Sequence, residues 1–198
     1  MTRWARFAAL YAFLGVGATA FAAVWRTGSV WTHPEPWLAL SGPSSHSYSL
    51  ALGLALGALV VMLTRVFVTR FAWAQRLHAE LRPLARGLST SGIVALALLS
   101  ALGEELVFRG LLAPWLGLVP QAILFGLVHQ IRGPSRWVWV VWASLIGLLL
   151  GAVFQLSGSL LGPIAAHALI NGLNLAYLKS HDPEPRRRSL GGLLGQRS

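Results

Sequence analysis

Residues 93–118 read IVALALLSALGEELVFRGLLAPWLGL, an apolar run with Glu104, Glu105 and Arg109 in its middle. A membrane span takes ~20 apolar residues, so this run is long enough to cross. Carboxylates are costly at that depth and mark a functional site by default. The chain holds only six acidic residues. Glu35 and Glu80 fall between apolar runs, and Asp182 and Glu184 fall near the C-terminus. The meaning of the chain therefore turns on Glu104 and Glu105.

Composition sets the class. Of 198 residues, 55% are hydrophobic and mean hydropathy is +0.62, which exceeds that of a soluble domain and fits a polytopic membrane protein. The net charge is +10, and every basic residue except Lys179 is arginine. The arginines cluster between apolar runs and in the tail. That is the pattern of positive-inside bias and contact with anionic lipid, not of nucleic-acid binding. With no cysteine there is no disulfide, thiolate metal site or cysteine nucleophile.

Six spans are predicted in an all-α bundle: Phe7–Val24, Tyr48–Phe67, about Ser91–Leu112, a short one at about Pro120–Ile131, Trp137–Leu156, and about Leu160–Leu178. Arg3 and Arg6 before the first span, with Ala20-Phe21-Ala22 near its end, also resemble a secretory signal. The later spans favour a retained helix. Trp25–Ser47 reads as a Pro-rich loop with Trp31 and Trp37 at the interface. Arg70–Leu88 reads as an amphipathic helix on the cytoplasmic face, broken at Pro83. The division is 1–90, an N-terminal membrane region; 91–178, a core; and 179–198, a basic disordered tail suited to anionic lipids. Arginine alternation places both termini in the cytoplasm. A bacterial inner membrane fits the Ala-, Leu- and Arg-rich composition.

Three polar features interrupt the spans. Glu105 and Arg109 are i,i+4 and can pair, while Glu104 lies ~100° around the helix without a local cation. Gln121, Phe125 and His129 share one face of the fourth span. His167, Asn171 and Asn174 make a stripe on the sixth. Each alone has a structural explanation: an ion pair, a satisfied core histidine, a helix-gluing stripe. Together they supply a free carboxylate, two histidines and an amide. A carboxylate facing a histidine can activate water, and histidine and asparagine can bind an oxyanion. Ser159 with His167 is a weaker serine-dyad alternative. A two-histidine, one-carboxylate zinc site from Glu104, His129 and His167 also stays open, although no H-E-x-x-H pair is present. Helical rise puts Glu104 and His167 roughly 15–20 Å deep and His129 only about 5 Å deep. They meet only if the fourth span is sunk, with Arg132–Ser135 dipping inward.

Glu104-Glu105-x-x-x-Arg109, Phe125-x-x-x-His129 and His167-x-x-x-Asn171 resemble, in order and separation, the three motifs of the CAAX-protease and bacteriocin-processing (CPBP, or Abi) intramembrane proteases. The resemblance covers about Gly92–Leu178. It implies that Glu104 and His129 activate water, that His167 and Asn171 bind the oxyanion, and that Glu105 and Arg109 support the site. It implies no cofactor, in the glutamate-dependent description of a family earlier described as zinc-dependent. The implied substrate is a membrane-embedded or lipidated protein cut near its C-terminus: a prenylated CAAX protein, a bacteriocin leader or a sorting tag. A non-catalytic immunity or scaffold relative, or a small transporter, is the competing reading.

Overall fold

The structure is a computed structural model and describes residues 3–25 and 29–183. It is helical throughout, with α1 (Arg3–Trp25), α2 (Gly42–Arg70), α3 (Ala72–Arg86), α4 (Thr90–Glu105), a π-helical stretch (Leu106–Leu112), α5 (Ala113–Leu116), α6 (Leu118–Val128), α7 (Arg136–Ser157) and α8 (Leu161–Ser180). Three of these are long and apolar enough to cross a membrane: α2, α7, and the continuous run Thr90–Leu116. The apolar parts of α1 and α6 are shorter. α8 carries His167, Asn171 and Asn174 along its length. Leu54, Leu59 and Met62 of α2 and Val141, Leu145 and Leu149 of α7 are exposed, as a lipid-facing surface requires. The chain is an integral membrane helix bundle.

Local chemistry sets the boundaries. Ser89 caps α4, its Oγ accepting from the Gly92 amide at 3.0 Å. Gly158 ends α7 with φ of 76°, a left-handed conformation that glycine adopts without strain. The long loop predicted through Ser47 is shorter than expected. α2 begins at Gly42, with Pro43 in its first turn, where a missing N–H costs nothing. Pro83 does not break α3, which continues to Arg86. Pro83 is exposed and only one turn from the helix end, so the carbonyl it frees can reach solvent. The predicted tail begins inside α8, which runs to Ser180, and the expected disorder falls on residues 184–198, outside the described residues.

α4 is central, flanked by α1 and α8. α2 packs along α8, and α6 along α7. Small residues permit the tightest of these approaches. A Cβ on Gly53 of α2 would fall on the backbone of Gly162 in α8, and a Cβ on Gly162 would fall on Ser49. The two backbones therefore nearly touch, as membrane helices do where glycine replaces side chains. Ser49 uses that proximity: its Oγ donates to Ser159 O at 2.7 Å and accepts from Gly162 N at 3.0 Å. α3 lies against α8, held by the Arg82–Asp182 ion pair, by Lys179 Nζ donating to Leu88 O at 2.7 Å, and by His78 donating to His181 O at 3.1 Å.

This packing yields a graded prediction. Gly53→Val should drive α2 away from α8 and lower stability by about 1–3 kcal/mol or more, the range for overpacking. Gly17→Ala, with nothing near the added methyl, should be close to neutral. Thermal unfolding of the two variants in detergent tests this; equal melting behaviour would refute the close approach.

Candidate active site

The charged cluster starts from the least negotiable group. Arg109 is fully buried, as is Glu105. Arg109 Nη1 donates to Glu105 Oε1 at 2.8 Å, and Nη2 donates to the Gly147 carbonyl at 3.0 Å. The guanidinium lies 4.3 Å over the Phe125 ring. Phe125 thus serves the site directly, by cation–π contact with the buried charge. Gln121 Nε2 reaches the same Gly147 carbonyl at 3.3 Å and Leu118 O at 2.9 Å. The i,i+4 pairing of Glu105 and Arg109 is as the sequence suggests. The π-helical geometry that carries Arg109 was not legible, although π-turns are frequent at functional sites.

Glu105 has a second partner. His167 Nδ1 lies 2.6 Å from the same Oε1. A carboxylate only accepts, so Nδ1 carries the proton and Nε2 points away from Glu105. Nε2 faces Glu104, 3.8 Å from Oε2. His129 repeats this arrangement. It caps the C-terminus of α6, its Nδ1 donates to Phe125 O at 2.6 Å, and its Nε2 stands 3.4 Å from Glu104 Oε2. Two imidazole Nε2 atoms on different helices therefore converge on one carboxylate oxygen. That oxygen is buried and takes no hydrogen bond from the protein. The mismatch of depth between His129 and Glu104 is resolved: α6 is short, and its end reaches α4. The loop after it is anchored from the side, with Ser135 Oγ donating to Glu80 Oε1 at 2.7 Å.

Asn171 sits one turn beyond His167. Its Nδ2 donates to Ser100 Oγ at 3.0 Å, and Ser100 donates on to Ala97 O at 3.3 Å. Ser100 and Glu104 are one turn apart on α4, so the α4 pair faces the α8 pair. Ser100 was not anticipated, nor was Tyr11 of α1, which lines the cavity together with Glu104. Nothing around Tyr11 in the sequence signals a partner ninety residues on. Ser159 is not a partner of His167; its Oγ lies 2.8 Å from His46 Nδ1, and Ser159 is fully buried in the junction of α2, α7 and α8.

These side chains stand in a cavity of about 920 Å³. Its walls include Trp73, Leu77 and Leu81 of α3, Trp142 and Ile146 of α7, and Ile170 of α8. The site is polar at Glu104 and apolar along the approach. His78 of α3 also lines it. Burial pushes the His78 imidazole below the ordinary histidine range, and Arg82 and Arg65 push the same way, against the hydrogen bond to His181. As for zinc, among the described residues no three His, Asp or Glu side chains are grouped as a metal ion requires.

Comparison with known proteins bears on the same segment. Residues 86–173 match the family described as Type II CAAX prenyl endopeptidase Rce1-like. An uncharacterized protein of Bacillus subtilis (strain 168), YpbD, is 35% identical over 81 residues, 41% of this chain and 42% of that protein. The match thus spans less than half the length of this relative. No solved structure matches the chain. The stretch 86–173 holds every motif residue from Glu104 to Asn171, so the similarity to the Rce1-like family falls on the helices that carry the charged cluster.

Proposed function

We propose that the protein is an intramembrane endopeptidase of glutamate-dependent type. The observation that carries this reading is Glu104 Oε2, buried, without a donor, and faced by the Nε2 atoms of His129 and His167. Glu105 Oε2 is likewise buried without a donor, so what singles out Glu104 is its place on the cavity wall facing both Nε2 atoms.

In the proposed reaction a water is held between Glu104 and His129. Glu104 takes its proton as the oxygen attacks the scissile carbonyl carbon. The oxyanion of the tetrahedral intermediate is met by the second N–H of Asn171 and by an N–H at Nε2 of His167. Collapse breaks the C–N bond, and the proton held by Glu104 passes to the leaving nitrogen. The products are a carboxylate and an amine. Glu105 and Arg109 touch no reacting atom; Glu105 sets the ring plane and tautomer of His167. No step is routed through a metal.

The apolar walls from α3 and α7 favour a membrane-embedded or lipid-bearing polypeptide as substrate, cut near its C-terminus. A CAAX-type prenyl protein, a bacteriocin leader or a sorting tag all satisfy that description. The arginine distribution supports a bacterial inner membrane, with both termini and α3 in the cytoplasm and the basic C-terminus on anionic lipid. Cysteine labelling in this cysteine-free chain should find positions 76–86 accessible from the cytoplasm alone; labelling from the opposite side would reverse the orientation.

Glu104→Gln keeps size and removes the base. The variant should accumulate normally in membranes and keep its thermal stability, yet lose hydrolysis by at least ~100-fold. Comparative proteomics of membranes holding either form identifies the substrate by its new C-terminus. In purified protein, chelators should leave turnover largely intact. Near-normal cleavage by Glu104→Gln sinks the assignment, and zinc-restored activity after chelation replaces it with a metal mechanism.

Glu105→Gln should behave differently. It strands Arg109 in a fully buried site, at about 3–5 kcal/mol. Loss of membrane abundance should accompany loss of activity. Replacing Glu105 and Arg109 together by neutral residues should restore abundance better than either single change, while activity stays low because His167 has lost its anchor. Equal abundance of all three variants, by immunoblot of membranes, would contradict a structural ion pair.

A further inference from the structure

His129 stands at the end of a helix, where backbone frays most easily. It caps α6, and residues 130–135 join it to α7. Gln130, Arg132, Gly133 and Pro134 of this loop are exposed, while Ser135 is buried. Ser135 is the N-cap of α7, yet its side chain makes no cap bond to that helix. An N-cap serine ordinarily accepts from an amide of the first turn. Here the hydroxyl is turned to α3 instead. It donates to Glu80 Oε1 at 2.7 Å, and the Ser135 amide donates to Glu80 Oε2 at 3.2 Å. Both oxygens of Glu80 are therefore committed to one residue at the start of α7, where the helix dipole favours a negative charge.

The loop is shaped to admit that carboxylate. Gly133 has φ of 138°, and a Cβ there would lie 2.5 Å from Glu80 Oε2. Glycine lets the side chain come so close to the backbone. Among the described residues, the two Glu80 bonds are the hydrogen bonds that tie this loop to a helix other than its neighbours α6 and α7. They bear on His129 by two routes. Along the chain, they set the path by which residues 130–135 leave the histidine. Through α7, they hold the first turn, where Trp139 N donates to Ser135 O at 2.9 Å. The Trp139 ring then meets the His129 ring edge-on, with centroids 6.3 Å apart. Behind the histidine, Nδ1 donates to Phe125 O on its own helix. That bond turns the ring, but it cannot by itself hold the end of α6 against α4.

We infer that Glu80 is a positioning residue for His129. By clasping Ser135 it fixes the loop and the first turn of α7, and so keeps Nε2 of His129 at 3.4 Å from Glu104 Oε2. It touches no reacting atom. The inference rests on the proposed role of His129 in holding the water. Glu80 sits between Leu77 and Leu81 on α3, whose side chains wall the cavity, so one helix both covers the site and sets its histidine. It also lies outside the matched segment 86–173, so the geometry of the motif histidine is completed from the N-terminal region.

The test reads position apart from turnover. Full-length protein with isotope-labelled histidine is studied by NMR in detergent micelles, with the His129 ring signals assigned by their loss in His129→Gln. In Glu80→Ala the His129 Nδ1–H should exchange with water about tenfold faster or more, as loss of hydrogen bonds to a charged group implies. The His167 Nδ1–H, held by Glu105, should not change. Cleavage of a fluorogenic S-farnesyl-cysteine peptide should lose about ten- to hundredfold in kcat, with KM within about twofold, because a small displacement of a reacting group costs that much. Glu80→Gln should bring both readouts close to wild type: the amide oxygen accepts from Ser135 N, and the amide NH₂ donates to Ser135 Oγ. Glu80→Ala combined with Ser135→Ala should be no worse than Glu80→Ala alone. Asp182→Asn removes the partner of Arg82 elsewhere on α3 and should leave the His129 signal in place. Unchanged His129 exchange in Glu80→Ala overturns the inference. So does equal acceleration at His167 or in Asp182→Asn, which reports a loosened bundle. A Glu80→Gln protein as impaired as Glu80→Ala overturns it too, since the effect is then one of charge. Wild-type protein that leaves the peptide uncut counts against the endopeptidase reading, and the exchange rates then decide the positioning by themselves.

Discussion

The rest of the site depends on one buried interaction, the guanidinium of Arg109 against Glu105. A charge fully removed from water is tolerable only where close partners offset its desolvation. Arg109 has the Glu105 carboxylate, the Gly147 carbonyl and the Phe125 face. These come from α4, α7 and α6, so satisfying one cation ties three elements together. The same carboxylate then orients His167 on α8. A single compensated charge thus fixes four helices relative to one another, and the reactive geometry follows from that.

The two adjacent glutamates divide labour because of helical geometry. Neighbouring side chains point ~100° apart, so only one of them can face Arg109. Glu105 faces Arg109 and His167; Glu104 faces the cavity, where the Nε2 atoms of both histidines meet it. The histidines follow the same logic. Each has its Nδ1 committed, one to a carboxylate and one to a carbonyl, so each presents Nε2 to Glu104 in a fixed orientation. Orientation of this kind is what pre-arranged catalysis demands, since the groups need not reorganise as charge develops.

What was legible in the sequence was whatever rests on composition and short-range spacing. Apolar runs gave helices close to those observed, and i,i+4 spacing gave the Glu105–Arg109 pair and the face carrying His167 and Asn171. Capping chemistry was less telling: Pro83 looked like a stop, but an exposed proline one turn from a helix end removes little. Long-range contacts were not legible. The salt bridge of Glu105 says nothing of a second bond to His167, sixty-two positions away. Ser100 is an ordinary residue of an apolar helix until Asn171 is placed opposite. Tyr11 enters only because α1 lies against α4, an approach that glycine at position 103 permits: a Cβ there would strike the Tyr11 backbone.

The elements outside the family segment are not a passive anchor. α3 supplies Trp73, Leu77 and Leu81 to one wall of the cavity, α2 supplies Thr64, Phe67 and Val68, and α1 supplies Tyr11. The apolar face of α3 would gain by lying on lipid, as an amphipathic interfacial helix does. Here much of it covers the cavity instead, held by polar contacts at residues 179–182 and by Glu80 on Ser135. Those contacts are mostly at the water-facing edge, where each is worth little alone. An apolar surface lying over an apolar cavity, fastened by weak polar contacts at its rim, is held less firmly than the helices gathered around Arg109. The motif-bearing helices therefore hold the charged cluster, while the N-terminal helices wall the cavity in front of it.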